Sequence, residues 1–202
     1  MQTKCNASIV LIGTHVPSII NPTWLGNEKL ISEKVLNYVN TPDFSAFESE
    51  SYSMVIDNER FQLTAKKDNF EQMNHLTTIL KHYLSIFNNV QYQGLGINFK
   101  WFINYDDAEV RPQIGFKVNN LDNLDSILPN HEFMFGSIVK ATTDKYQMNL
   151  SIEPDKNLLI YTFNFHFNLK GLSTDKISRY LDEYEIIYEK AKEIVYSTLG
   201  EV

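Results

Sequence analysis

The sequence predicts an α+β fold in which long helices pack on a largely antiparallel sheet, within a single domain spanning residues 1–202. The clearest observation is the alternation of large apolar and small polar side chains through residues 161–169, because a period of two is typical of a strand. Residues 95–105 alternate in a similar way. Residues 174–199 instead place apolar side chains at spacings of three and four, which is typical of a helix.

Length and composition fit this class. The chain has 202 residues, of which 43% are hydrophobic and 13% aromatic, and this is enough for one well-buried core. Residues 1–50 are predicted to hold a strand, a proline-containing segment and a helix. Residues 51–202 are predicted to hold the antiparallel sheet with its helices.

The charge and the cysteine content limit the classes of binding partner and the cellular compartment that we expect. The net charge of −7 and the pI near 5.2 oppose nonspecific attraction to nucleic acid or to an anionic membrane. No stretch approaches the roughly 20 apolar residues that span a bilayer. The lone Cys5 cannot form an internal disulfide, so a cytoplasmic protein is expected. We expect a protein partner, with a homodimer as an alternative, and neither nucleic acid nor membrane.

The first 50 residues begin with a predicted strand at 6–13. Residues 15–27 contain Pro17 and Pro22 and are expected to be irregular, with the pair Trp24-Leu25 at the surface. Residues 28–40 space their apolar side chains as a helix does, and the proline after Thr41 would end it.

The next elements are a hairpin, a helix and a long strand. Two short β-like runs, 52–56 and 61–65, are joined by Asp57-Asn58-Glu59, which favours a hairpin. Asp68 or Asn69 can cap a helix over residues 69–88. The alternating segment 95–105 follows as a strand.

Pro112 restricts a predicted strand at 110–118 to an edge of the sheet, or itself to the beginning of the strand. Pro129 ends a short helix at 121–128. Residues 133–142, 145–152 and 158–170 are predicted to form an antiparallel meander. The helix at 174–199 is interpreted as a cover for this sheet, with a dimer seam as the alternative. Its apolar stripe comprises Ile177, Leu181, Tyr184, Tyr188, Ala191 and Val195.

Two segments of the sequence contain the same types of side chain in the same order. Residues 59–64 and 144–149 each run acid, base, aromatic, glutamine, aliphatic and polar, and each follows a predicted turn. An internal hairpin-helix duplication would explain this order. The alternation that any hairpin needs would also explain it.

No cluster of side chains matches a metal site. Glu71, His75 and His82 share the helix at 69–88, but the two histidines would stand roughly 10 Å apart along its axis, which is too far for one ion. The carboxylates of Asp106, Asp107 and Glu109 lack the spacing of a calcium loop. We therefore expect no metal and no other cofactor.

Motifs for catalysis are also missing. Gly94-Leu95-Gly96 lacks the third glycine of a dinucleotide fingerprint and precedes a strand. Cys5 is more simply a packing residue than a nucleophile. No catalytic residue is assigned, and an enzyme is the less favoured class; it would use His166 or the carboxylates of Asp106 and Asp107.

Polar side chains on two long strands could form one wall of a site. If residues 95–105 and 158–170 share a sheet, their uncharged amides, one imidazole and one ammonium group would lie on the same face. An ordinary solvent-exposed face is the simpler interpretation. The candidate ligand-binding residues are Asn98, Lys100, Asn164, His166 and Asn168.

Several stretches resemble a family of uncharacterised, sporadically distributed bacterial proteins. They are residues 59–63, the helix ending near Phe87, the strand beginning Gly94-Leu95-Gly96-Ile97-Asn98, and the strand and helix from 161 to 195. The first 50 residues do not match. The resemblance implies an α+β fold and no established activity.

Three functions follow as hypotheses. The leading one is a non-enzymatic protein-interaction module of a bacterial cytoplasm, of the antitoxin, immunity or defence-accessory type, because aromatic anchors commonly dominate interfaces. The alternatives are a small-ligand sensor, with the polar wall beneath the C-terminal helix, and an unrecognised enzyme. The candidate partner-binding residues are Trp24, Leu25, Tyr184 and Tyr188.

Overall fold

The computed structural model describes residues 2–104, 136–155 and 157–199, and a nine-stranded antiparallel sheet dominates it. Its strands are β1 (Gln2–Gly13), β2 (Asn37–Asn40), β3 (Phe44–Glu48), β4 (Tyr52–Asp57), β5 (Arg60–Ala65), β6 (Tyr92–Asn104), β7 (Ser137–Thr142), β8 (Gln147–Asp155) and β9 (Leu158–Asn168). The strand order is β2-β3-β4-β5-β1-β6-β9-β8-β7. The helices are α1 (Pro22–Asn27), α2 (Phe70–Ile86), α3 (Thr174–Leu181) and α4 (Tyr184–Leu199), and a 3₁₀ helix covers Pro17–Ile19. The α+β prediction is confirmed.

The long strands β1, β6 and β9 form the centre of the sheet. The register sets Ile9 opposite Ile97 and Ala7 opposite Phe99, and Phe99 in turn opposite Phe163. All of these side chains are buried on one face, because side chains two residues apart on a strand share a face. The predicted alternation in β6 and β9 is therefore confirmed.

Helices α2, α3 and α4 cover this apolar face. The ring of Tyr184 on α4 lies 5.4 Å from that of Phe99, and Tyr180 on α3 lies 4.9 Å from Phe167. On the other half of the sheet, Tyr83 of α2 lies 4.4 Å from Phe61. These contacts fix which face of the sheet is the interior.

The predicted hairpin and the helix after it are also confirmed. Asp57 Oδ1 accepts hydrogen bonds from the backbone N–H groups of Glu59 and Arg60, at 2.9 and 2.8 Å. Asn69 caps α2, since its side-chain oxygen accepts from the N–H of Glu71 at 2.8 Å. Asx turns and N-caps of this kind satisfy backbone donors that would otherwise be unpaired.

The predicted helix at residues 28–40 is wrong. Helix α1 ends in a Schellman motif, in which Leu30 N–H donates to the Leu25 carbonyl at 3.1 Å and Lys29 has a φ of 53°. This left-handed residue turns the chain away from any continued helix. Residues 37–40, with Tyr38 and Val39 in the middle, form strand β2 against β3 instead.

The predicted helix at 174–199 is two helices. The N–H groups of Asp182 and Glu183 donate to carbonyls three residues back, which tightens the last turn of α3. Both carboxylates pair with lysines of other elements, Asp182 with Lys81 and Glu183 with Lys145. Asp182 and Glu183 also directly precede α4, and acidic side chains interact favourably with the partial positive charge at a helix N-terminus.

The apolar stripe of these two helices faces the sheet. Five of its six members are buried, and Tyr188 packs partly buried against the core. The cover interpretation is therefore confirmed, and the dimer seam is wrong because the stripe is already occupied within the chain.

The two segments that suggested a duplication begin β5 and β8. Strand β5 pairs with the central β1, and β8 pairs with the central β9 on the other side. The duplication stays a prediction. The predicted strand at 110–118, the helix at 121–128 and the carboxylate loop at 106–109 lie outside the described residues, as does the start of the strand at 133–142.

In the described parts of the chain, no helix is both long enough and apolar enough to cross a lipid bilayer.

Two buried tyrosines give a matched test of this core. The hydroxyl of Tyr184 is buried without a hydrogen-bond partner among the described residues, whereas that of Tyr161 lies 2.8 Å from Thr198 Oγ1. We expect Tyr184→Phe to leave the free energy of unfolding unchanged or to raise it by up to about 1 kcal/mol. Tyr161→Phe should lower it by about 0.5–1.5 kcal/mol. Denaturant unfolding measures both, and a larger loss for Tyr184→Phe would contradict the packing described.

Candidate functional site

The end of the sheet at β2 combines a free strand edge with a groove. We call this depression the edge groove; it lies between β2 and the segment that holds the 3₁₀ helix and α1, and it has a volume of about 700 Å³. Its lining residues are Ile19, Asn21, Pro22, Thr23, Trp24, Asn27, Tyr38 and Asn40. None of them carries a formal charge.

Trp24 lies in the edge groove, and Leu25 does not. Asn21 caps α1 by accepting a hydrogen bond from the Trp24 N–H at 3.0 Å. The indole ring is partly buried and lies 5.7 Å from the ring of Phe87. Leu25, next along the helix, is only 1% exposed. Its expected exposure is wrong, because α1 turns this side chain into the core.

Strand β2 supplies the opposite wall. Tyr38 is 60% exposed, and its ring stacks on that of Phe47 with an interplanar angle of 7°. The neighbouring apolar side chains of Leu36 and Val39 are 58% and 53% exposed. Val16 and Ile19, beside the groove, are also exposed. Large apolar side chains are therefore concentrated at this end of the sheet.

Asn40 joins the two walls. Its Nδ2 lies 3.0 Å from the Pro17 carbonyl oxygen and 2.9 Å from that of Ile20. The buried Ser45 hydroxyl donates to the same Pro17 carbonyl at 2.7 Å. These bonds hold the 3₁₀ helix against β2 and β3. The edge groove is therefore already formed before a partner binds.

Tyr184 and Tyr188, the other predicted partner-binding residues, pack against the sheet, Tyr184 buried and Tyr188 partly buried. Tyr184 is 1% exposed. The ring of Tyr188 lies 4.8 Å from Phe70 and 5.5 Å from Phe99, and burial raises its pKa to about 12. The expected exposure of Tyr184 is wrong, because the side of α4 that carries it packs on the sheet.

The predicted polar wall exists as one face of the sheet. Asn98 is set opposite Asn164, and Asn164 Nδ2 donates to Asn98 Oδ1 at 2.6 Å. Lys100, His166 and Asn168 lie on the same face and are exposed. We call these five residues the polar sheet face.

Glycines on β6 make room for these side chains. A Cβ at Gly94 would lie 3.0 Å from His166 Cε1, and one at Gly96 would lie 3.3 Å from Asn164 Nδ2. His166 and Asn164 therefore rest close to the backbone of β6. A larger residue at Gly94 or Gly96 would force them to move.

The polar sheet face is not beneath the C-terminal helix. Asn98 and Lys100 alternate with Phe99, and Phe99 contacts Tyr184 of α4. Because alternate side chains point to opposite faces, α4 covers the face opposite to Asn98. The predicted position of the wall under this helix is wrong.

Sequence reasoning missed His15, which is buried beside aromatic rings. Its Nδ1 lies 2.8 Å from the Tyr83 hydroxyl and its Nε2 lies 3.2 Å from the Leu11 carbonyl oxygen. A carbonyl only accepts, so Nε2 carries the proton and Nδ1 accepts from Tyr83. Burial lowers the pKa of His15 below its ordinary value. This geometry describes a neutral, structural histidine.

Other titratable groups do not form a reactive site. Burial raises the pKa of the Cys5 thiol, which disfavours the thiolate that a nucleophile needs. His75 packs 5.7 Å from the ring of Tyr52. Within residues 2–104, 136–155 and 157–199, no three histidine, cysteine, aspartate or glutamate side chains are grouped to hold a metal ion. Asp106 and Asp107 lie outside the described residues.

The neutral state of His15 makes stability depend on pH. Its folded-state pKa is lowered, so the unfolded chain takes up a proton first as the pH falls below about 6.5. Stability should be full above this pH and should fall below it, by up to about 1.4 kcal/mol per pH unit until folded His15 is protonated. Urea unfolding between pH 7.5 and 5 measures this slope.

The exposed His166 provides the control for that measurement. We expect His166→Gln to keep the wild-type slope and His15→Gln to reduce it, whatever the change in absolute stability. An unchanged slope in His15→Gln would show that another group carries the pH dependence.

Comparison with known proteins adds no family or relative to these observations, since no family model and no curated protein matches this chain. The resemblance to sporadically distributed bacterial proteins stays a prediction.

Proposed function

We propose that this chain is a non-enzymatic protein-interaction module that binds its partner at the edge groove and strand β2. The observation that carries the proposal is the concentration of exposed apolar side chains there, led by Leu36, Tyr38 and Val39 at more than half exposed each. Tyr38 lies on the groove side of β2 and Val39 on the opposite side, because adjacent strand residues alternate. Exposed apolar side chains that accumulate in this way typically mark an interaction site.

The aromatic residues of the groove are suitable anchors. Tyrosine and tryptophan contribute strongly to interfaces because they offer a large contact area with few rotatable bonds. The packing of Trp24 on Phe87 and of Tyr38 on Phe47 already orders both rings. A partner would therefore lose little conformational entropy from them on binding.

Charge further limits the partner. The chain carries a net charge of −7, while the lining of the edge groove is uncharged. A neutral or apolar contact surface with basic residues around it would fit both features. The more specific role of an antitoxin, immunity protein or defence accessory in a bacterial cytoplasm stays a prediction.

Ligand binding by the polar sheet face is less well supported. Asn98 and Asn164 already bond each other, so a ligand would have to compete for the same groups. No described helix covers this face, and a ligand there would stay largely in water.

The proposal can be tested with tagged full-length chain recovered gently from its own host, with co-purifying polypeptides quantified by mass spectrometry. The variants are Trp24→Ala and Tyr38→Ala. The control is Ile186→Ala, because Ile186 is 64% exposed on α4, away from the groove. Circular dichroism checks that each variant is folded.

We expect one partner at fixed stoichiometry with wild type and Ile186→Ala. Loss of an aromatic anchor worth about 2 kcal/mol should reduce recovery at least tenfold. Equal recovery with all variants, or no partner with wild type, would contradict the proposal. Tyr38→Ala keeps the test valid if Trp24→Ala weakens the core, since Tyr38 lies mostly in solvent.

A further inference from the structure

The outer edge of β2 has unpaired backbone groups at defined residues. In the pairing with β3, Thr41 N–H donates to the Phe44 carbonyl at 2.8 Å. Hydrogen-bonded pairs alternate along an antiparallel ladder, so Val39 and Asn37 also bond to β3. The N–H and C=O groups of Tyr38 and Asn40 therefore point away from the sheet.

These outward groups are free in the described structure. The backbone groups of Tyr38 and Asn40 form no hydrogen bond with any described residue on that side. A row of unpaired N–H and C=O groups is a template for another extended strand.

The edge groove lies beside this template, on the face where Tyr38 and Asn40 present their side chains. In an added strand, every second side chain would fall on that same face. The groove would receive those side chains between Tyr38 and Trp24. The lining carries no charge and combines amide and hydroxyl groups with apolar surface from Ile19, Pro22, Trp24 and Tyr38. Charged side chains are therefore disfavoured there, and apolar ones can pack on the rings of Trp24 and Tyr38.

We propose that an extended segment of a partner polypeptide adds to the sheet beside β2, with alternate apolar side chains inserted into the edge groove. This inference rests on the proposed function and specifies how the partner is recognised. Backbone hydrogen bonds would supply affinity, and the groove would supply specificity.

The other edge of the sheet is less suited to this role. Strand β7 also exposes Ile138 and Val139, but it carries Lys140 in its middle, and a lysine on an edge strand discourages further pairing. Strand β2 reads Asn37-Tyr38-Val39-Asn40 and contains no charge. Its groove wall is also held in place by the bonds from Asn40 to Pro17 and Ile20.

The probe for this inference is a displayed library of random linear 12-residue peptides, selected on the full chain. Selected peptides should carry apolar residues at alternate positions and should lose binding when their central residue is replaced by proline. Failure to select any such pattern would overturn the inference.

Tyr38→Pro is the decisive variant, and Tyr38→Ala is its matched control. Both remove the ring, but only proline also removes the outward N–H. Proline is tolerated on an edge strand where this N–H faces solvent, so the fold should persist. We expect peptide affinity for Tyr38→Pro to be at least tenfold below that for Tyr38→Ala. Affinities within twofold of each other would overturn the inference.

Amide hydrogen exchange locates the bound strand. The Tyr38 and Asn40 N–H groups should exchange at least tenfold more slowly when a selected peptide is bound, while that of Val39 should change little because it already bonds to β3. If both amides are protected without peptide in a dimeric chain, a second copy occupies the edge and the inference is overturned.

These outcomes separate the two proposals. If the host partner is lost with Trp24→Ala and Tyr38→Ala but binds equally to Tyr38→Ala and Tyr38→Pro, the interaction module stands and strand addition fails. If neither alanine variant affects the host partner, the proposed function fails first.

Discussion

The burial of one face of β1, β6 and β9 is the constraint on which the rest of the structure depends. Their alternation sends every large apolar side chain to the same side, where Phe99, Phe163 and Phe165 form part of the core. Helices α2, α3 and α4 must cover that side, because an aromatic face of this size would otherwise be in water. The sheet-facing side of each helix is occupied in doing so, which is why the buried Tyr184 is unavailable to a partner.

A sheet covered on one face by these helices leaves two kinds of surface for recognition. The opposite face is polar, and on it Asn164 donates a hydrogen bond to Asn98. At the β2 edge, backbone groups that are unpaired among the described residues adjoin exposed apolar side chains and an uncharged groove. The two surfaces differ chemically: on the polar sheet face Asn98 and Asn164 already bond each other, whereas the end at β2 has both apolar area and backbone groups available for bonding.

The sequence was a good guide where local pattern and packing agree. The alternation around Phe163, the Asp57 turn and the Asn69 cap all depend on residues close in the chain. The helix predicted at 28–40 failed because Lys29 adopts a left-handed conformation that glycine usually signals and lysine does not. The burial of Leu25 and the exposure of Tyr38 depend on contacts between α1, Phe47 and distant strands, and no local pattern encodes them. The edge groove could therefore be found only once the sheet was assembled, and the role of Trp24 in partner binding stays a prediction.

The most direct test of this account is photo-crosslinking in the living host, with a photoreactive phenylalanine analogue at position 38 and, in a separate strain, at position 186. Both side chains are more than half exposed. A difference in crosslinking between the two positions therefore reports where the partner binds and not how exposed each side chain is. The account requires that position 38 crosslinks to one polypeptide, through an extended segment with alternating apolar residues, and that position 186 does not. The same crosslinked products from both positions, or none from position 38, would contradict the claim that β2 and its groove form the interaction site.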